Sequence, residues 1–358
     1  MVENRTRRVR QMLDQLGLTG FLFTSLPNIR YLCGFTGTDG ALVVTADTDV
    51  FLTDSRYTEQ AHRQVSVAEV REYAQKLEGV VDCLQASGAY RVGFEAETLS
   101  FATVERLKEK SEADIEWVPV GKELQDLRVV KDADELTAIE EAAGLNAEAF
   151  EEILPLIRPG AVERDIALAL EYALKRRGGE EKAFDFIVAS GPRGAMPHGV
   201  ASDRVIQSGE LVTIDFGTRV RGYHSDETVT VAVGEVAPQL QEIYMLVLAA
   251  HDKAIEQVRP GVSLKDLDAV ARHHISEGGY GEYFGHGLGH GVGLEIHEFP
   301  SVASRSEEVA IEGMVITIEP GIYVPDLGGV RIEDMVLVTA TGQRCLTRIA
   351  KDFRTLAV

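Results

Sequence analysis

Four acids in this chain stand inside apolar, strand-like runs. In 211–216, alternation puts Val212, Ile214 and Phe216 on one face and Asp215 on the other. After a turn through 217–222 the chain returns as 225–233, where Val229, Val231 and Val233 share a face and Asp226 lies with Thr228 and Thr230. The second half reads as a repeat of this design, with Glu319 in 314–320 and Glu333 in 329–338. Each pair is spaced around a turn so that its members can meet on adjacent strands. Four carboxylates aimed at one place repel strongly, because like charges a few ångström apart raise each other's pKa. Divalent cations relieve this, and oxygen-rich ligands suit Mn²⁺, Co²⁺ or Zn²⁺.

Histidines supply the other half of the chemistry. Of nine, His62, His251, His273 and His274 fall in helical patterns and read as surface or boundary residues, and His224 beside Tyr223 reads as structural. The remaining four are His198, His286, His290 and His297. Three of these lie in Phe284-Gly-His-Gly-Leu-Gly-His-Gly-Val-Gly-Leu-Glu-Ile-His-Glu-Phe-Pro300, whose glycines argue against a helical metal-binding pair and allow close backbone approach. On an extended segment His290 and His297 face opposite sides unless a glycine bends the chain, so spacing alone leaves their roles open. Imidazole with carboxylates suits a dinuclear metal site, in which two ions share a water, lower its pKa and aim it at a carbonyl. Further histidines can stabilise the oxyanion or pass a proton to a leaving amine. The residues read as a metallohydrolase, with a metal-binding regulator as the alternative.

The elements that must position these groups emerge from composition and pattern. A chain of 358 residues suggests about two domains. Its 36 basic against 57 acidic side chains give a net charge of −21, which argues against nucleic acid and anionic membrane as partners. An apolar fraction of 45% excludes a disordered acidic chain, and no apolar run approaches the roughly 18–20 residues that span a bilayer. Val9, Met12, Leu13 and Leu16 fall at helical spacing, which reads as an amphipathic helix and not a signal peptide. Cys33, Cys83 and Cys345 make neither a disulfide framework nor a CxxC site; each reads as a small buried apolar residue in a reducing cytoplasm.

Strands are predicted at 20–24, 41–45, 50–53 and 91–95, and helices at 57–64 and 101–110. This alternation implies an α/β N-terminal domain with a mostly parallel sheet. Asp132 with Glu135 is a capping-box signature, and a helical stripe then runs to Ile157 with Gly144 as its weak point. The boundary is therefore placed to give domains 1–130 and 131–358. Within the second, Ile157-Arg-Pro-Gly matches Val258-Arg-Pro-Gly, and 208–217 matches 312–321 at nearly the same offset. Two halves related by a pseudo-two-fold axis would bring Asp215 and Glu319 to equivalent positions.

With these residues in view, 130–358 resembles the pita-bread fold metallopeptidases, an α+β catalytic domain with internal duplication. The first 130 residues resemble the N-terminal domain of their proline-specific branch, through Thr24-Ser-Leu-Pro-Asn-Ile-Arg-Tyr-Leu-Cys-Gly-Phe-Thr-Gly37 and Asp54-Ser-Arg-Tyr57. The resemblance implies that Asp215 binds one metal ion, that His290 and Glu319 bind a second, and that Asp226 and Glu333 bridge. It implies that His198 and His297 polarise the scissile carbonyl, that His286 lines the proline subsite and assists proton transfer, and that Glu319 is general base. Arg331 would orient the metal carboxylates. The cofactor implied is two divalent ions per subunit, Mn²⁺ first and Co²⁺ or Zn²⁺ as alternatives, in a cytoplasmic homodimer acting on short peptides with proline second. Prolidases of similar length carry Arg directly after the His-Glu-x-Pro run, where this chain has Ser301, with Arg305 four residues on. A dipeptidase must hold a free carboxylate, for which Arg is suited. The expectation is therefore an Xaa-Pro aminopeptidase (aminopeptidase P), with Xaa-Pro dipeptidase as alternative and a non-catalytic peptide-binding protein as a remote one.

Overall fold

The structure, a computed structural model, describes residues 2–111 and 114–357. Residues 1, 112, 113 and 358 of the expected domains lie outside them. The chain divides into two compact units, Met1–Arg128 and Val129–Val358.

The first unit carries a six-stranded sheet in the order Glu69–Glu72, Asp49–Thr53, Ala41–Thr45, Gly20–Phe23, Arg91–Glu95, Glu116–Val120. Its pairings are parallel except the two that flank Ala41–Thr45. The sheet is therefore mixed. Only residues 46–48 join Ala41–Thr45 to Asp49–Thr53, too few for a parallel crossover. Helices Thr58–Gln64 and Phe101–Ser111 stand where the pattern put them. The edge strand Glu69–Glu72 was not legible, because its side chains are mostly exposed and show no apolar alternation. The first helix, Val2–Leu16, buries Val9, Met12 and Leu13. Cys33 and Cys83 are buried, but Cys345 is exposed, on the outermost strand of its sheet. Among the described residues no helix is long and apolar enough to cross a membrane.

The second unit is built twice. Helices Ala133–Ile153 and Glu163–Arg176 precede strands Ile187–Ser190, Glu210–Phe216 and Glu227–Val233. Helices Pro238–Gln257 and Leu264–Glu277 precede strands Gly289–Gly291, Val315–Ile318 and Asp334–Val338. In each half the middle strand pairs antiparallel with the other two. Equivalent bridges, Val162 to Val205 and Ser263 to Val309, tie each second helix to its following loop. Each half packs its helices on its strands: Phe150, Leu170, Ile214 and Val231 in one core, Tyr244, Leu267, Ile316 and Val336 in the other. The capping box forms at Asp132 and Glu135. Gly144 does not break its helix; the glycine leaves room for the guanidinium of Arg348.

Register refines the expected repeat. Asp215 pairs with Thr228, whereas Ile318 pairs with Asp334, which sets Glu319 against Glu333. The equivalent of Glu333 is thus Thr228, and the equivalent of Asp226 is Arg331. The duplication holds for Asp215 and Glu319 and fails for their partners.

Strand alternation sends Glu227 and Asp334, the chain neighbours of Asp226 and Glu333, to the reverse face. There Lys351 Nζ lies 2.6 Å from Glu227 Oε1 and 3.2 Å from Asp334 Oδ1. His251 Nε2 lies 3.2 Å from Asp334 Oδ2. His251 is therefore buried and not a surface residue, because it sits on the packed side of Pro238–Gln257. Lys351 ties one half to the other directly behind the candidate ligands. Removing one partner of a buried ion pair leaves uncompensated charge, so Lys351→Met is expected to lower stability by about 3–5 kcal/mol. Urea unfolding of the variant against wild type measures this, and an unchanged midpoint contradicts it.

Candidate metal centre

Asp215, Asp226, His290, Glu319 and Glu333 line one cavity of about 410 Å³, and His198, His286 and His297 line the same cavity. The acids enter it from strand ends: Asp215 is the last residue but one of Glu210–Phe216, Asp226 precedes Glu227–Val233, Glu319 comes after Val315–Ile318 and Glu333 precedes Asp334–Val338.

Ligand-type atoms of Asp226, His290 and Glu333 lie within 4.8 Å of one another. His290 Nε2 is 3.5 Å from Asp226 Oδ2 and 3.4 Å from Glu319 Oε1. These are long for hydrogen bonds and suit atoms that share a cation. His290 Nδ1 is 3.0 Å from the Gly291 carbonyl, so it carries the proton and leaves the Nε2 lone pair aimed at the acids. Burial pushes His290 down to about 4, so the ring is neutral. A bare lone pair facing carboxylate oxygens is repulsive until a positive charge lies between them. Asp215 Oδ1 is also buried without a hydrogen-bond partner. Burial, and then the neighbouring acids, raise Asp226 and Glu333 well above the usual carboxylate range. Burial pushes Glu319 up to about 8, against the pull of Arg331. This donor set fits divalent cations.

Backbone proximity puts His290 here. A Cβ at Gly289 would overlap the Thr317 carbonyl, so only glycine allows the two strands this close. The His290 amide donates to Thr317 Oγ1 at 3.0 Å, and the Glu319 amide to the Leu288 carbonyl at 2.8 Å. The pairing with Glu298–Val302 shifts register between His290 and Gly291. The chain doubles back, and the His290 and His297 rings meet edge to face with centroids 4.3 Å apart. The bend left open by spacing is therefore present.

Arg331 joins the acids to the histidines. Its Nη2 donates to Asp215 Oδ2 at 2.6 Å, its Nη1 to Tyr323 at 2.8 Å and to the Pro197 carbonyl at 3.1 Å. Its Nε donates to Thr228 Oγ1 at 3.2 Å, and that hydroxyl donates to Glu333 Oε2 at 2.6 Å. Tyr323 donates to His286 Nε2 at 2.9 Å, and His286 Nδ1 meets the Gly287 carbonyl at 2.8 Å. Burial holds His286 down to about 4. Both His286 nitrogens are thus engaged, so the ring meets the cavity as a neutral wall. Sequence reasoning missed Thr228 and Tyr323. Thr228 shares the Asp226 face and was findable; nothing in the local pattern marks Tyr323. His198 and His297 are exposed toward the open cavity. Ser301 and Ala303 complete one side, and Ser306 Oγ closes the next turn on the Ser301 carbonyl at 2.6 Å.

Residues 137–340 match metallopeptidase family M24, and residues 5–130 match the creatinase/prolidase N-terminal domain. The chain is 38% identical to an Xaa-Pro dipeptidase of Pyrococcus horikoshii, over 98% of this chain and 99% of that one. Its structure resembles an Xaa-Pro dipeptidase from Bacillus anthracis at TM-score 0.97 and 41% identity, over 99% of this chain and 100% of that one. It also resembles an X-Pro aminopeptidase from Thermotoga maritima at TM-score 0.91 and 35% identity, over 98% of this chain and 100% of that one. The chain belongs to metallopeptidase family M24 and has its two-domain, pita-bread architecture, and the family implies divalent metal ions.

The raised acids make a stability prediction for the chelated protein. A carboxyl that titrates near 4.5 when unfolded and about 8 when folded binds its proton in the fold alone between those values. Its contribution is full at low pH and is lost as pH rises through about 8. The Tm of metal-free protein should fall between about pH 5 and about pH 9, less steeply in Glu319→Gln, and added Mn²⁺ should remove the fall. A metal-free Tm that rises over this range overturns the assignment.

Proposed function

We propose that this M24 peptidase is an Xaa-Pro dipeptidase. The convergence of five ligand-type side chains and three histidines on one cavity carries the hydrolytic reading. The proline and dipeptide preference is supported by the relatives bearing that name, which reverses the order of preference drawn from Ser301 alone. One observation favours the second reading, an aminopeptidase P. Arg331 is the only Lys or Arg among the cavity-lining residues described, and it is engaged with Asp215. A dipeptide's free carboxylate would then need Arg305, exposed within the turn that Ser306 closes.

Asp215, Asp226, His290, Glu319 and Glu333 would hold the two divalent ions. When bound, the ions supply Lewis-acid polarisation of the scissile carbonyl and a low-pKa water. The chain's own residues do the rest. Arg331 and Thr228 fix the rotamers of Asp215 and Glu333 through hydrogen bonds that leave the opposite oxygens for ligation. His198 and His297, exposed to the cavity, donate toward the developing oxyanion. Glu319, held by Thr317 at 3.3 Å, takes a proton from the attacking water and returns it to the leaving imino nitrogen of proline. His286, locked by Tyr323 and Gly287, forms an apolar wall suited to the pyrrolidine ring.

Removing an oxyanion donor lowers kcat by about 10²–10³-fold, so His297→Ala should lose that much with little change in KM. The Mn²⁺-loaded enzyme should cleave an Xaa-Pro dipeptide faster than the same peptide extended by one residue. Arg305→Ala should raise KM for the dipeptide only. Faster cleavage of the extended peptide selects aminopeptidase P. Cleavage of neither, with metal bound, rejects both.

A further inference from the structure

Glu163 is a fully buried carboxylate outside the metal centre. It opens the helix Glu163–Arg176, and its side chain reaches across to the segment that carries His198. Its Oε1 accepts from the Ser190 amide at 2.8 Å and the Ser190 hydroxyl at 2.7 Å. Its Oε2 accepts from the Ser202 amide at 3.2 Å, the Ser202 hydroxyl at 2.6 Å and the guanidinium of Arg193. Ser190 and Ser202 are the two ends of that segment, and His198 lies between them. Arg193 passes the grip inward, donating from Nη2 to the Val200 carbonyl at 2.7 Å. A second brace is Arg331, on the Pro197 carbonyl.

The duplication shows that the fold does not require this acid. Position 163 corresponds to Leu264, which opens the equivalent helix and is likewise buried. The backbone amides at both positions make the same contact, Glu163 to the Arg204 carbonyl and Leu264 to the Glu308 carbonyl, each at 3.0 Å. A leucine therefore fills the site without loss of architecture. Burying a carboxylate instead carries a desolvation penalty that only a full set of donors offsets. The half with the acid is the half with His198.

We infer that Glu163 is a positioning residue for His198: one buried carboxylate clamps both ends of the loop and so sets the imidazole at the cavity mouth. The inference rests on the peptidase reading for its kinetic consequence, but not for its structural one. A glutamine cannot replace the acid, because its NH₂ would face donors where an acceptor is needed.

The test is a double-mutant cycle with a second readout that needs no turnover. Outer-shell changes typically lower activity about 10–100-fold, and Glu163→Gln should lower kcat by that factor with KM and bound metal unchanged. In a His198→Ala background the same change should lower kcat less than about twofold, because the group it acts through is gone. In spectra of ¹³C-histidine-labelled protein, the ring signal lost in His198→Ala should shift or split in Glu163→Gln, while those of His62 and His273 stay in place. Should Glu163→Gln fold poorly, Ser202→Ala removes a single donor from the clamp and takes its place in both measurements. Losses that multiply in the double variant, or a His198 signal that does not move, overturn the inference. Wild type inactive on every Xaa-Pro peptide overturns the peptidase reading alone, and the histidine spectra still decide the role of Glu163.

Discussion

Asp226 and Glu333 are buried carboxyl groups brought to one cavity beside Asp215 and Glu319, where charging any one of them is opposed by burial and by the others, and the rest of the second unit answers that constraint. Among the cavity-lining residues described, one side chain with a fixed positive charge, Arg331, faces the four. It is committed to Asp215 and, through Thr228, to Glu333. The remaining charge is relieved by protons in the metal-free protein and would be relieved by the divalent ions that the family implies. Behind the strands the problem recurs in small, since Glu227 and Asp334 are buried too, and Lys351 stands between them. Front and back are coupled, because consecutive residues of a strand point to opposite faces.

The duplicated frame makes an asymmetric site by placing different side chains at matching register. Asp215 and Glu319 match. Asp226 matches Arg331, Thr228 matches Glu333, Ala189 matches His290, and Glu163 matches Leu264. One half thereby supplies a cation where the other supplies a ligand. The pseudo-two-fold axis gives facing carboxylates at its centre, and departures from it give the hydrogen-bonding Arg331 and the candidate ligand His290 their different places. Both halves also send a loop histidine to the cavity, held by different means. Glu163 grips the His198 loop, whereas the residue after His297, Glu298, is held by a buried ion pair with Lys131 at 2.7 Å.

The metal centre and the choice of peptide are separable. The hydrolytic chemistry proposed for this cluster would be the same whether proline is the last residue of the substrate or an internal one. On the proposed dipeptidase reading, recognition of a free carboxylate would fall to the rim beside Ser301 and Ala303, where the chain turns tightly and Arg305 is exposed. Solved structures named for dipeptidase and for aminopeptidase activity both share this fold, at TM-scores of 0.97 and 0.91, so the fold by itself does not separate the two readings.

The sequence by itself determined the two-unit organisation, the helix start at Asp132, the internal repeat and eight candidate site residues that meet in one cavity. These were legible because alternation, capping and repetition are local patterns, and an acid on an apolar strand contradicts its surroundings visibly. Only the tertiary structure decided that Glu333 stands in register with Thr228, that His290 and His297 meet, and that Tyr323 joins His286 to Arg331. It alone moved His251 into a buried charge cluster and Cys345 to the surface. Each of these depends on which strands pair and at what offset, a property of distant segments that spacing along one chain does not encode.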